Sequence, residues 1–179
     1  ALFDLAVEEK LQMTFSGPPM GADDASWELR KDVWNDEHTL LGGSDAGAHL
    51  DMFCGAIYTT SMLAEVVRER GLLPVEEAVR LLTDVPARLY GLRDRGQVTE
   101  GWIADLTLFD PVTVGNLPAV TVADLPGGSS RLLAAATGVP HVIVNGTFSL
   151  RDGEVTGEHP GTALRTGRDT RPVHLTRHD

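Results

Sequence analysis

The chain has 179 residues, with 26 Asp and Glu against 15 Lys and Arg, so its net charge of −11 repels nucleic acid and anionic membrane surfaces. Hydrophobic residues make up 42% of it, enough for a sizeable core and too many for a disordered chain, yet no apolar run is long enough to span a bilayer. A single cysteine, Cys54, excludes an internal disulfide and a cysteine-built structural zinc site, and fits a reducing, cytoplasmic compartment.

Residues 1–10 open directly in a helical pattern, with Leu2, Leu5 and Ala6 on one face and Phe3 and Val7 on the adjoining one. A helix with neither an initiator Met nor a cap before it suggests a chain that starts partway through a larger protein. Residues 11–15 read as a short strand, and Gly17-Pro18-Pro19 forces a loop. Residues 22–36 read as helical in part, with Asp23 or Asp24 as cap and Trp27, Leu29 and Val33 apolar. A second strand is expected over 39–43. This helix–strand alternation with short links is the rhythm of a parallel sheet or barrel.

A helix is expected over 58–70, where Met62, Leu63, Val66 and Val67 keep helical spacing, Arg68 and Arg70 suit the negative end of the dipole, and Gly71 stops it. Pro74 opens another over 75–83 with Glu76 and Glu77 in its first turn. Asp84-Val85-Pro86 breaks that helix, and Pro86 opens a third through Tyr90, ended by Gly91. Beyond residue 91 the texture changes. Residues 96–101 form a turn-rich connector and 104–110 a strand ended by Pro111, while 118–130 hold little periodicity apart from the turn Pro126-Gly127-Gly128. Residues 141–150 read as a hairpin about Asn145-Gly146, and Arg151-Asp152-Gly153 offers a second reversal. From Gly157 the chain is a polar strap or loose tail. Two parts are therefore expected, an α/β part at 1–95 and a β-rich part at 96–179.

Chemistry concentrates at residues 39–50, T-L-L-G-G-S-D-A-G-A-H-L. Three glycines in six positions allow close backbone approach, and an aspartate where an apolar strand meets such a loop is well placed for catalysis. Beside this stands a plainer reading, in which Ser44 and Asp45 cap the next helix or make an Asx-turn. His49 lies four residues after Asp45, and its plain reading is a loop histidine bonded to backbone. His38, His141, His159, His174 and His178 show neither H-x-H nor H-E-x-x-H spacing, so no local metal motif is present. Ser44 lacks a nucleophile elbow, Cys54 reads as a small packed residue, and Gly127-Gly128-Ser129-Ser130 lacks the lysine of a phosphate loop.

Four stretches then converge: G-G-S-D-A-G-A-H-L-D at 42–51, E-E-A-V-R-L-L-T-D-V-P-A-R-L-Y-G-L at 76–92, D-R-G-Q-V-T-E-G-W-I-A-D-L-T-L-F-D-P at 94–111, and H-V-I-V-N-G-T-F at 141–148 with D-G-E-V-T-G-E-H-P-G at 152–161. Together they resemble the C-terminal portion of the metal-dependent amidohydrolases, in particular the N-acyl-D-amino-acid deacylase (D-aminoacylase) branch. The resemblance implies an α/β fold: the C-terminal segment of a (β/α)8 metal-hydrolase barrel, followed by part of a small β-sandwich. It also implies one or two zinc ions, most of whose ligands lie outside this chain.

By the same resemblance Asp45 is both metal ligand and general base, taking a proton from metal-bound water and passing it to the departing amine, and His49 lies near the substrate. The implied substrate is a small N-acyl amino acid or related amide. Association through an exposed barrel edge, giving a homo-oligomer, is expected, and the 179 residues alone are expected to be inactive. A cyclic-amide hydrolase or deaminase of the same superfamily, and a non-catalytic scaffold, are the competing readings.

Overall fold

A computed structural model describes residues 2–10 and 20–173. The strand expected over 11–15, and His174 and His178, lie outside the described residues. The first helix, α1 (Leu2–Glu8), forms as its periodicity implies. The second, α2 (Asp24–Asn35), begins at Asp23, whose carboxylate accepts from the Ser26 amide at 2.9 Å and the Ser26 hydroxyl at 2.7 Å. Those two bonds occupy donors the first helical turn cannot satisfy, and they hold the Asp23 carboxyl below its ordinary value. Trp27 and Trp34, two turns apart, pack with ring centroids 6.3 Å apart. The Arg30 and Arg70 guanidiniums lie 4.5 and 4.4 Å from the Trp27 ring centroid, and Arg70 also pairs with Asp24 at 3.2 Å, so α2 is clasped to the end of the next helix.

That helix, α3 (Tyr58–Ser61), is entered through a 3-10 turn at Gly55–Ile57 and continues as a wider π-helical stretch, Met62–Glu69. The widening is explicit at its end, where the Arg70 amide donates to the Glu65 carbonyl five residues back at 3.0 Å. Gly71, at φ 60°, stops it as expected. Met62, Leu63, Ala64 and Val66 are all buried. α4 (Val75–Leu82) lays Ala78 and Leu81 against them, with Pro74 as its cap. One expectation shifts here: α5 (Asp84–Leu89) begins two residues before Pro86. The break falls at Thr83 (φ −127°, ψ −70°), because proline is tolerated inside a first turn where no intrahelical amide bond is lost.

Val114, 1% exposed, belongs to the same core as the helices. Polar bonds hold it there. Arg68 donates to the Val114 carbonyl, the Asn116 amide donates to the Ser61 hydroxyl at 2.8 Å, and the Thr60 hydroxyl donates to the Asn116 side-chain carbonyl.

Every strand pair among the described residues is antiparallel. The main sheet joins β1 (Leu106–Leu108), β6 (His141–Val144), β7 (Thr147–Arg151) and β8 (Glu154–Val155) in that order. Its centre is the hairpin read from the sequence: Asn145 (φ 47°) and Gly146 (φ 76°) both take the left-handed conformation a two-residue turn requires, and Val144 faces Thr147. Asp152 and Gly153 reverse the chain again. Two small ladders complete the β structure: β2 (Gly115–Asn116) with β5 (Ala136–Thr137), and β3 (Val120–Val122) with β4 (Arg131–Leu133). The polar C-terminal segment is a strap, bridging Leu92 to Thr170, with the Arg171 amide donating to the Gly91 carbonyl at 2.7 Å.

Two expectations are corrected. Residues 39–43 form no strand: they run without ladder partners, because two leucines beside two glycines make an extended segment only when a neighbouring strand supplies hydrogen bonds. Conversely, the stretch 118–130 contains β3, a three-residue strand too short to show a period.

Candidate functional site

Asp45 sits where the unladdered segment turns into a compact loop. Residues 42–49 are all exposed, so side-chain burial does not shape this stretch. Backbone bonds do. The Ala48 amide donates to the Asp45 carbonyl at 2.9 Å, and the Met52 and Phe53 amides donate to the His49 carbonyl at 2.8 and 2.9 Å. Ser44 matches the plainer of its two readings: its hydroxyl accepts from the Ala46 amide at 3.2 Å, a local turn bond.

The Asp45 carboxylate is different. Among the described residues it makes no hydrogen bond or ion pair, so it is not consumed in capping a helix. It stands in solvent, fully available as an acceptor. His49 holds a left-handed backbone conformation (φ 45°) and sets its ring edge-on to Phe53, centroids 5.9 Å apart. Four residues of separation thus place both candidates on one loop, without bonding them to each other.

Two features of this loop were not legible in the sequence. Its far end is tied to β4, where the Leu132 amide donates to the Leu50 carbonyl at 2.7 Å, across 82 positions of chain. Its return arm passes Gly55 so closely that a Cβ there would lie 3.0 Å from the Ala46 nitrogen and 3.2 Å from both the Asp45 nitrogen and its carbonyl carbon. Nothing local announces either contact. Arg131, beside Leu132, is committed elsewhere, donating to both oxygens of Asp124 at 2.8 and 2.7 Å.

The remaining histidines play local parts. His38 is exposed and bonded to Asp36, His141 packs edge-on against Phe148 at 5.5 Å, and His159 is exposed. Among the described residues, no three of His, Cys, Asp and Glu converge where a cation could be held. A catalytic zinc typically takes about three protein ligands, so these side chains do not by themselves fit one. A cavity of about 440 Å³ lies between α3, α4 and β1, lined by residues that include Thr60, Leu63, Val79, Leu82 and Phe109, and neither Asp45 nor His49 lines it. No helix among the described residues is long and apolar enough to cross a membrane.

The chain belongs to the amidohydrolase family, whose model matches residues 3–149. Among its relatives, an N-acyl-D-aspartate deacylase of Alcaligenes xylosoxydans xylosoxydans is 38% identical over 109 residues, covering 60% of this chain and 20% of the relative. A D-aminoacylase of the same organism is 36% identical over 103 residues, 58% of this chain and 19% of the relative. The solved structure of an N-acyl-D-glutamate deacylase from Bordetella bronchiseptica, complexed with zinc and a phosphonate inhibitor, is 35% identical over 54% of this chain and 19% of its own, with a TM-score of 0.38. The chain thus spans about one fifth of the length of the curated relatives it matches.

Proposed function

We propose that this chain is part of an N-acyl-D-amino-acid deacylase-like hydrolase that cleaves a linear amide bond, with Asp45 as the proton carrier. One observation carries the reading: on a loop held by a few turn bonds, the exposed Asp45 carboxylate makes no hydrogen bond or ion pair among the described residues, so it is free to act as a base. Such a carboxylate takes a proton from the attacking water and returns it to the departing amine, so the amide C–N bond breaks with a neutral leaving group. His49, on the same loop, faces the substrate end of the site.

Family membership and the identity to two deacylases support the amide as substrate class over a cyclic amide or a deaminated base. The wider setting in this proposal is a (β/α)8 barrel continued by a β-sandwich, with parts at 1–95 and 96–179. The proposal includes zinc, one or two ions, by way of the family. Asp45 offers a single carboxylate to it, and the other donors are not among the described residues.

The test is turnover of N-acetyl-D-aspartate and N-acetyl-D-glutamate by the full-length protein and its Asp45→Asn form. Removing a general base is expected to lower kcat by about 10² or more. Undiminished turnover in Asp45→Asn removes Asp45 from the mechanism, and an intact protein that hydrolyses no N-acyl amino acid removes the deacylase reading.

A further inference from the structure

We infer that Gly55 is a positioning residue for Asp45, a statement that rests on the catalytic reading of Asp45 given above. Glycine is usually explained by conformation, but Gly55 does not lie in the left-handed region, so its backbone is open to any residue. Space is what requires glycine here. A Cβ would meet the Ala46 nitrogen at 3.0 Å and the Asp45 nitrogen and carbonyl carbon at 3.2 Å, all main-chain atoms that cannot rotate away as the tip of a side chain can.

The contact lies between two very different structures. Behind Gly55 is the start of the α3 helix, whose Met62, Leu63 and Ala64 are buried. In front is a loop with residues 42–49 all exposed, held by its own turn bonds and the distant tie from Leu132 to Leu50. The Asp45–Ala46 peptide therefore takes its position from the face of Gly55, and the direction of the Asp45 carboxylate follows from that peptide. A Cβ at 55 makes that peptide give by a few tenths of an ångström and carries the carboxylate with it. A misplacement of about 1 Å at a reacting group costs up to about a hundredfold in rate, so a shift of a few tenths of an ångström is worth about threefold or more.

The experiment compares full-length wild type with Gly55→Ala, Asp45→Asn and Gly161→Ala, using N-acetyl-D-glutamate turnover and hydrogen exchange of the peptide covering 44–56. Gly161 has no atom within 4 Å of its would-be Cβ and serves as the control. For Gly55→Ala we expect kcat to fall about threefold or more with KM within about twofold, together with faster exchange confined to 44–56. Gly161→Ala should match wild type in both. Wild-type kcat in Gly55→Ala, a change in KM alone, or lost kcat with unaltered exchange overturns the inference. Should Gly55→Ala not be recovered in soluble form, the pair Ala46→Gly with Gly55→Ala takes its place, since glycine at 46 lets the peptide swing aside. A folded pair with wild-type kcat also overturns the inference, whereas a folded pair with low kcat supports it. The two readings fail separately: an active Asp45→Asn removes the proposed mechanism, and an inactive Asp45→Asn beside a fully active Gly55→Ala removes only the role of Gly55.

Discussion

Residues 62–81 and residues 42–53 are near neighbours in the chain and are held in opposite ways. The first stretch owes its place to burial: Met62, Leu63, Val66, Leu73, Ala78 and Leu81 form one apolar cluster with Val114 beneath. The second buries no side chain among 42–49 and is shaped by main-chain bonds and one close backbone contact. Stability and chemistry are thereby separated along the sequence. The carboxylate proposed as base is left accessible on the loop, whereas in the core an uncompensated carboxylate would be costly or driven to its neutral form. The helical layer supplies rigidity, and the loop uses it.

Substitutions should expose that division, the largest effect first. Leu81, 3% exposed, contacts the centre of the core. Leu81→Ala in the full-length protein should lower unfolding free energy by about 2–5 kcal/mol in a denaturant titration, while kcat measured well below the midpoint stays near wild type. Asp45→Asn should do the reverse, moving stability by no more than about 0.5 kcal/mol in the same titration, because the carboxylate has no partner to lose among the described residues. A large stability loss there would mean the loop and the core are one unit, and the contrast between them would collapse.

Leu132→Pro probes the seam between the regions. Proline removes the amide that bonds the Leu50 carbonyl, at a strand position where that amide points away from β3. A loss of about 0.5–1.5 kcal/mol is expected, with faster exchange confined to residues 50–53, read by hydrogen-exchange mass spectrometry.

The smallest effect concerns pH. The Ser26 hydroxyl and amide hold the Asp23 carboxyl below its ordinary value. A depressed acid stabilises the fold above its unfolded value, about 3.9, and that contribution fades as pH falls through the folded value. Asp23→Asn should therefore flatten the acid limb of the stability profile, lying slightly below wild type in the neutral region and converging on it as pH falls below about 4.

Regions whose order is local were legible. Asp23 or Asp24 offers a cap, the Met62–Val66 periodicity a helix, and Asn145-Gly146 a hairpin, and each forms, with Asp23 taking the cap. The failures share a cause. Residues 39–43 were read as a strand from apolar character, but a strand exists only beside a partner, and the described residues offer none. β3 and β4 were missed for the converse reason: V-T-V and R-L-L are too short to signal alone and become strands by meeting each other. The site divides in the same way. Asp45 and His49 stood out as chemical types in a glycine-rich loop, whereas Gly55 and the Leu132 tie are defined by distances between segments.

The amino-acid sequence by itself determined the helical layer, the central hairpin and the acidic charge, and it offered Asp45 as the base proposed above, because capping, periodicity and turn conformation act over a few residues. Only the tertiary structure decided that the Asp45 carboxylate has no partner among the described residues, that Gly55 lies against the Asp45–Ala46 peptide, and that β4 reaches back to Leu50. These are contacts across nine to 82 positions, and excluded volume and hydrogen bonding between distant segments exist only once the chain has closed on itself.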